Sequence, residues 1–107
     1  MTADELREIC LAQVAAEETY PFGEETAVFK VAGKIFALGP IDAESISVKV
    51  DPEDGIALRN DFAAVIIPGY HLNKKHWITV DTTRVPDELV EQLISNSHSL
   101  VKPKRLA

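Results

Sequence analysis

Apolar positions near the N-terminus recur at helical spacing. Leu6, Ile9, Cys10 and Val14 form one stripe that only Gln13 interrupts. Thr2, with Glu5 three residues later, has the form of a capping box, and Asp4, Glu5 and Glu8 suit the positive end of a helix dipole. The pattern stops before Tyr20-Pro21-Phe22-Gly23, where Pro21 removes an amide donor and Gly23 allows unusual dihedrals. Beyond it the period changes. Thr26 to Val31 and Lys34 to Leu38 are rich in β-branched and aromatic residues with only Ala32-Gly33 between them, which predicts a hairpin. Alanine resists positive φ, so the expected connection is a type I turn with Gly33 in the left-handed position of a bulge. Ile46, Val48 and Val50 then alternate with Ser47 and Lys49, as in a strand with one dry face and one wet face.

Asp51-Pro52-Glu53-Asp54 predicts a second helix, with a cap, a proline at the first helical position and early acids; it should end near Asn60. Ala63 to Ile67 reads as a buried strand closed by Pro68-Gly69, and Trp77 to Val80 as the fifth strand. Pro86-Asp87-Glu88 opens a last helix with Leu89, Val90, Leu93 and Ile94 on its apolar side. Pro103 cannot continue that helix, so residues from about 102 to 107 are expected to form a mobile basic tail. The expected fold class is α+β: a two-layer domain whose five-stranded antiparallel sheet is covered by helices, in the order α-β-β-β-α-β-β-α.

Composition narrows the class. A chain of 107 residues is one domain's worth, and 46% hydrophobic with 26% charged residues excludes a disordered or low-complexity segment. No apolar run approaches the roughly 20 residues of a membrane-spanning helix. Met1-Thr2-Ala3-Asp4-Glu5 lacks the basic start and apolar run of a secretory signal, so a cytoplasmic location is expected. Cys10 is the single cysteine, which excludes an intramolecular disulfide and a cysteine-ligated zinc. On the apolar stripe it reads as a buried core thiol. The net charge of −6 argues against indiscriminate nucleic-acid binding, yet residues 1–61 carry a balance of −8 and residues 62–107 one of +2. At physiological salt the Debye length is about 8 Å, so a distant acidic face does not cancel a local basic one.

The segment from Pro68 to Val80 holds two of the three histidines, the single tryptophan and the pair Lys74-Lys75. If Ile78 and Val80 face the helices, Trp77 and Thr79 face the other way. Extending the parity one step puts Lys75 beside Trp77 and turns His76 inward. With Lys49 on a neighbouring strand, such a face would hold phosphate and stack a base. Trp77 fits packing as well as it fits a platform, and Lys74-Lys75 fits a solvated loop. His71 and His76 have four residues between them but no Asp, Glu or Cys there to complete a metal site, so hydrogen bonding is their expected role. His98, between Ser97 and Ser99, suits a helix C-terminus. No Gly-x-Ser-x-Gly elbow is present, and Gly33-Lys34 lacks the earlier glycine of a phosphate loop. These patterns predict no catalytic residue, metal, cofactor, small-molecule ligand or membrane partner.

Several motifs together resemble the MmcQ/YjbR family of small bacterial proteins over nearly the whole chain. They are Tyr20-Pro21-Phe22-Gly23, Phe29-Lys30-Val31, Gly33-Lys34-Ile35-Phe36-Ala37, Ser47-Val48-Lys49-Val50-Asp51-Pro52, the run from Pro68 to Val80, and Ser97 with Leu100-Val101. The chain departs at His98, where the family often has tyrosine, and at Gly69, where it often has alanine. The resemblance implies a fold of the type-III secretion-chaperone kind, with a five-stranded antiparallel sheet. It also implies a DNA-binding role on a winged surface, which here would fall on Lys74, Lys75, His76 and Trp77.

Two function classes follow. The first is a non-catalytic DNA-binding protein, with Lys74, Lys75, Lys102, Lys104 and Arg105 on phosphates and Trp77 stacking or wedging. The second is a protein-interaction or homodimerising module, because the hairpin is apolar on both parities: Ala27, Phe29 and Val31 on one, Val28 on the other. An enzyme would instead need a concave pocket with convergent polar groups around Tyr70 and His71.

Overall fold

The structure is a computed structural model that describes residues 1–69 and 72–105. Its elements are α1 (Ala3–Leu11), β1 (Ala16–Thr19), β2 (Thr26–Val31), β3 (Lys34–Pro40), β4 (Ser45–Lys49), α2 (Pro52–Asp61), β5 (Ile66–Pro68), β6 (Trp77–Asp81) and α3 (Asp87–Val101). Local signals set several boundaries. The Thr2 hydroxyl accepts the Glu5 amide at 3.1 Å while the Glu5 carboxylate accepts the Thr2 amide at 3.0 Å, a complete capping box. Pro52 begins α2, where its missing amide costs no helical hydrogen bond. No helix among the described residues is long and apolar enough to cross a membrane.

All strand pairs are antiparallel, in the spatial order β1-β2-β3-β4-β6-β5. The helices pack on one face. Phe29, Ala37, Val48, Ile78, Ile46, Val80 and Ile66 point toward them and join Leu6, Cys10, Val90, Leu93 and Ile94 in one core. Burial pushes the Cys10 thiol up to about 12. The other face carries Val28, Leu38, Ser47, Thr79, Lys49 and Trp77. Val28 is fully buried there within the chain itself, although it lies outside the helix-side core.

The sheet has six strands rather than five, and the order is α-β-β-β-β-α-β-β-α. The added strand is β1, whose Ala-Glu-Glu-Thr sequence has weak strand propensity and continues the helical pattern before it. α1 ends at Leu11, and Ala15 at φ 56° turns the chain back to pair with β2. Consequently Val14, expected on the helical stripe, is exposed. Charged glutamates on a sheet edge also resist pairing with another chain.

The hairpin connection differs as well. Val31 pairs with Lys34, and Ala32 and Gly33 have φ of 50° and 78°, so the link is a two-residue loop of type I′ character. The bulge sits elsewhere: Phe29 pairs with Ala37 but Lys30 with Ile35, which leaves Phe36 as the extra residue. Phe36 and Ala37 are both fully buried as a result. Ala63 to Ile67 is not a buried strand. Residues 62–65 form a turn, with the Val65 and Ile66 amides on the Phe62 carbonyl and Ala64 at φ 67°, and the short edge strand that follows exposes Ile67.

Candidate nucleic-acid interface

Strand register decides which side chains meet. β2 ends, β3 begins, β4 ends and β6 begins at one end of the sheet, which gathers Lys30, Lys34, Lys49 and Trp77 there. The C-terminus of α3 reaches the same end and brings Lys102, Lys104 and Arg105; the loop between β5 and β6 brings Lys74 and Lys75. Eight of the eleven basic residues therefore share this end, and Arg7, Arg59 and Arg84 are the other three.

The strands that build this end are partly separated. β3 and β4 pair only through Ala37 with Val48 and Leu38 with Ser47. The next pair in register, Phe36 and Lys49, is held apart by Ser97 of α3. Its hydroxyl donates to the Phe36 carbonyl at 2.5 Å and accepts the Lys49 amide at 2.8 Å. Ser97 is fully buried, so these bonds replace a missing rung of the ladder. Below it, Lys34, Ile35, Lys49, Trp77, Leu100 and Val101 line a shallow depression of about 420 Å³.

Trp77 is half-buried and directly opposite Lys49 on the face away from the helices, as the parity of β6 predicts. Its carbonyl accepts the Gly69 amide at 2.8 Å. The two chains run so close that a Cβ on residue 69 would stand 2.6 Å from the Trp77 Cβ, which explains glycine at this position. The parity does not extend to Lys75. Residues 74–76 form a turn, in which the Asn73 side chain accepts the Lys75 amide at 2.9 Å and the Asn73 carbonyl accepts the His76 and Trp77 amides. Lys74 and Lys75 are exposed, and the carbonyl of half-buried His76 accepts the Val50 amide.

The tail lies round the corner. Lys102 caps α3 and lines a separate depression with Gln13, Val14 and His98, while Lys104 and Arg105 are exposed beyond Pro103. His98 is buried rather than free at the helix end. Its Nε2–H donates to the Val14 carbonyl at 2.8 Å, and its ring meets Phe36 edge-on at 5.1 Å. Tyr70 and His71 lie outside the described residues. Lys34, at the start of β3 and two strands from β6, escaped sequence reasoning because only the hairpin register places it here.

The charge at the opposite end has the other sign. Asp4, Glu5, Glu24, Glu25, Asp42, Glu44, Asp81, Asp87 and Glu88 collect there around the N-terminus, whose amine lies 3.7 Å from the Asp87 carboxylate. Several carboxylates on that side are held below their ordinary range. The Thr2 amide and hydroxyl act on Glu5, the Arg7 guanidinium on Glu18, and the Thr83 hydroxyl and amide on Asp81.

The family model described as YjbR matches residues 11–100. The uncharacterised protein YbdF of Escherichia coli O157:H7 is 41% identical over 88 residues, which are 79% of this chain and 71% of that protein. The uncharacterised protein YjbR of Escherichia coli strain K12 is 32% identical over 101 residues, covering 92% of this chain and 85% of that protein. The crystal structure of Deinococcus radiodurans protein DR2400 superposes with a TM-score of 0.87 at 45% identity, over 99% of this chain and 82% of that one.

Proposed function

The chain belongs to the YjbR family, and from that premise we propose that it binds DNA, without catalysing a reaction, through the lysine-rich end of its sheet. The supporting observation is the gathering of Lys34, Lys49 and the exposed Lys74-Lys75 turn around half-buried Trp77, on a chain whose net charge is −6. Cations concentrated at one end of an acidic protein orient it toward a polyanion and keep the rest away. Phosphates meet Lys34, Lys49, Lys74 and Lys75, and the indole edge borders the groove or an unstacked base. Lys102, Lys104 and Arg105 extend the contact along the backbone, and His76 holds the lysine turn to Val50, between β4 and α2, through its carbonyl. The acids that open α2 at this end, Asp51, Glu53 and Asp54, belong to the helix layer, where Asp51 and Asp54 line a depression that Lys49 also borders; Lys34, Lys74 and Lys75 do not line it.

The test is fluorescence anisotropy of labelled duplex DNA across a salt series. Each neutralised phosphate contributes about 0.9 to the log–log salt slope, so the four lysines and the three tail cations together give a slope near −6.3. Lys74→Glu with Lys75→Glu removes about 1.8 of it and weakens binding at least tenfold, while Arg84→Glu, at the far end, changes little. A flat salt response, or one the double substitution leaves unchanged, overturns the proposal.

A further inference from the structure

We propose that the uncovered face of the sheet carries a second site, a cleft between Phe22 and Leu72 that takes a small, uncharged and largely apolar molecule. The cleft measures about 450 Å³, within the range of roughly 300–1,000 Å³ usual for small-molecule sites. Its floor is a row of three side chains in register: Leu38 on β3, Ser47 on β4 and Thr79 on β6. Phe22 and Leu72 stand on the walls, and Pro40 closes the corner.

Charge identifies the class of ligand. Charged residues make up 26% of the chain, yet among the described residues none that lines this cleft is charged. An ionised ligand would give up hydration there with no countercharge to replace it, whereas a neutral one loses little. The polar side chains are all neutral hydroxyls: the Ser47 and Thr79 oxygens lie 2.7 Å apart on the floor, and Thr26 and Ser45 supply two more, so a ligand meets hydrogen-bonding groups but no charge. Apolar surface supplies the rest. Phe22 is 66% exposed on a turn of the Tyr20-Pro21-Phe22-Gly23 segment, and an occupant would withdraw that ring from water. This face already excludes water locally, since Val28 beside Leu38 is fully buried without any helix above it. A protein partner would cover about 800 Å² per side, well past the cleft and onto charged strand ends.

The inference is separable from DNA binding through Phe22, which sits away from the lysine-rich end, whereas Leu72 is two residues from Lys74. The probe is N-phenyl-1-naphthylamine, a neutral fluorophore that brightens in apolar sites. Saturable one-to-one binding is expected, with amide shift changes at Ser47 and Thr79. Phe22→Ala, which alters an exposed residue and leaves the thermal midpoint unchanged, weakens it at least tenfold, as does Leu72→Ala. The salt slope of DNA binding in Phe22→Ala stays at the wild-type value, which separates the two readings. Three results overturn the inference: no saturable signal, a signal that survives both substitutions, or concentration-dependent dimerisation that Phe22→Ala abolishes, which would assign the face to a second copy.

Discussion

The two ends of the sheet differ in how they hold their strands. At the acidic end short-range bonds stand beside remote ones: the capping box closes α1 and the Thr83 amide and hydroxyl bond to Asp81 two residues back, while Thr82 reaches the Glu44 carbonyl between strands that stay paired. At the lysine-rich end the satisfaction is remote. The Lys49 amide and the Phe36 carbonyl depend on a hydroxyl 48 and 61 residues away along the chain. The difference teaches that separated strands are the price of presenting Lys34, Lys49 and Trp77 around one depression, and that α3 supports this opening by inserting Ser97.

The largest expected effect follows from that comparison. Ser97→Ala leaves a buried amide and a buried carbonyl without their partner, which costs about 2–4 kcal/mol in urea unfolding. The counterpart at the acidic end is Thr82, also buried, whose hydroxyl donates to the Glu44 carbonyl at 2.8 Å. That carbonyl additionally accepts the Thr82 amide at 3.0 Å, so Thr82→Val costs only about 1 kcal/mol. Equal losses at the two sites would break the comparison, because the strands would then be able to close the gap without the hydroxyl.

A gain of about 1 kcal/mol is expected at the tip of the hairpin. Ala32 has φ 50°, a left-handed conformation that costs an L-residue with a Cβ about 1–2 kcal/mol, and glycine removes that strain at some entropic expense. Ala32→Gly should therefore raise the urea midpoint without changing its slope. An unchanged or lowered midpoint would show that the hairpin tip stores no strain, and that the lysines beside it are presented by a relaxed loop.

What was legible in the chain was local. The Thr2–Glu5 capping box, Pro52 at the start of α2, the alternate facing of Ile46 to Lys49 (though Ser47, expected on a wet face, is buried) and the outward side of Trp77 all follow from neighbours within a few residues. β1 was not legible, because Glu17 and Glu18 join the sheet only through partners in β2 and carry no strand signal of their own. The type I′ link at Ala32 was hidden for a related reason: the register of β2 on β3 overrides the preference of alanine. The charge map changed most. A division between residues 1–61 and 62–107 pointed to the second half as the main source of cations, with Lys49 alone expected from the first. The sheet instead divides charge by its ends, drawing Lys30, Lys34 and Lys49 from the first half because antiparallel register brings a strand's end beside the next one's beginning.

The smallest effect is in acid, and it should be confined to one end. Glu5, Glu18 and Asp81 are stabilised as carboxylates by the Thr2 amide, the Arg7 guanidinium and the Thr83 hydroxyl, so their folded pKa values lie below the unfolded values near 4. A depressed folded pKa contributes stability that is complete above the unfolded pKa and is lost as pH falls through the folded one. Stability should thus be level from neutral pH down to about 5 and decline below about 4. Each group is held by a partner at the surface or two to three residues away, so the decline is shallow, and Glu18→Gln, which cannot titrate, makes it shallower still. Amide shifts sharpen the point: those of Thr2 and Thr83 should move with acid before unfolding begins, while the Lys49 amide, bound by a hydroxyl that does not titrate in this range, stays in place. A Lys49 amide that moved with the carboxylates would mean that the two ends are coupled through the sheet, and that the splayed end is held in part by charge at the far side.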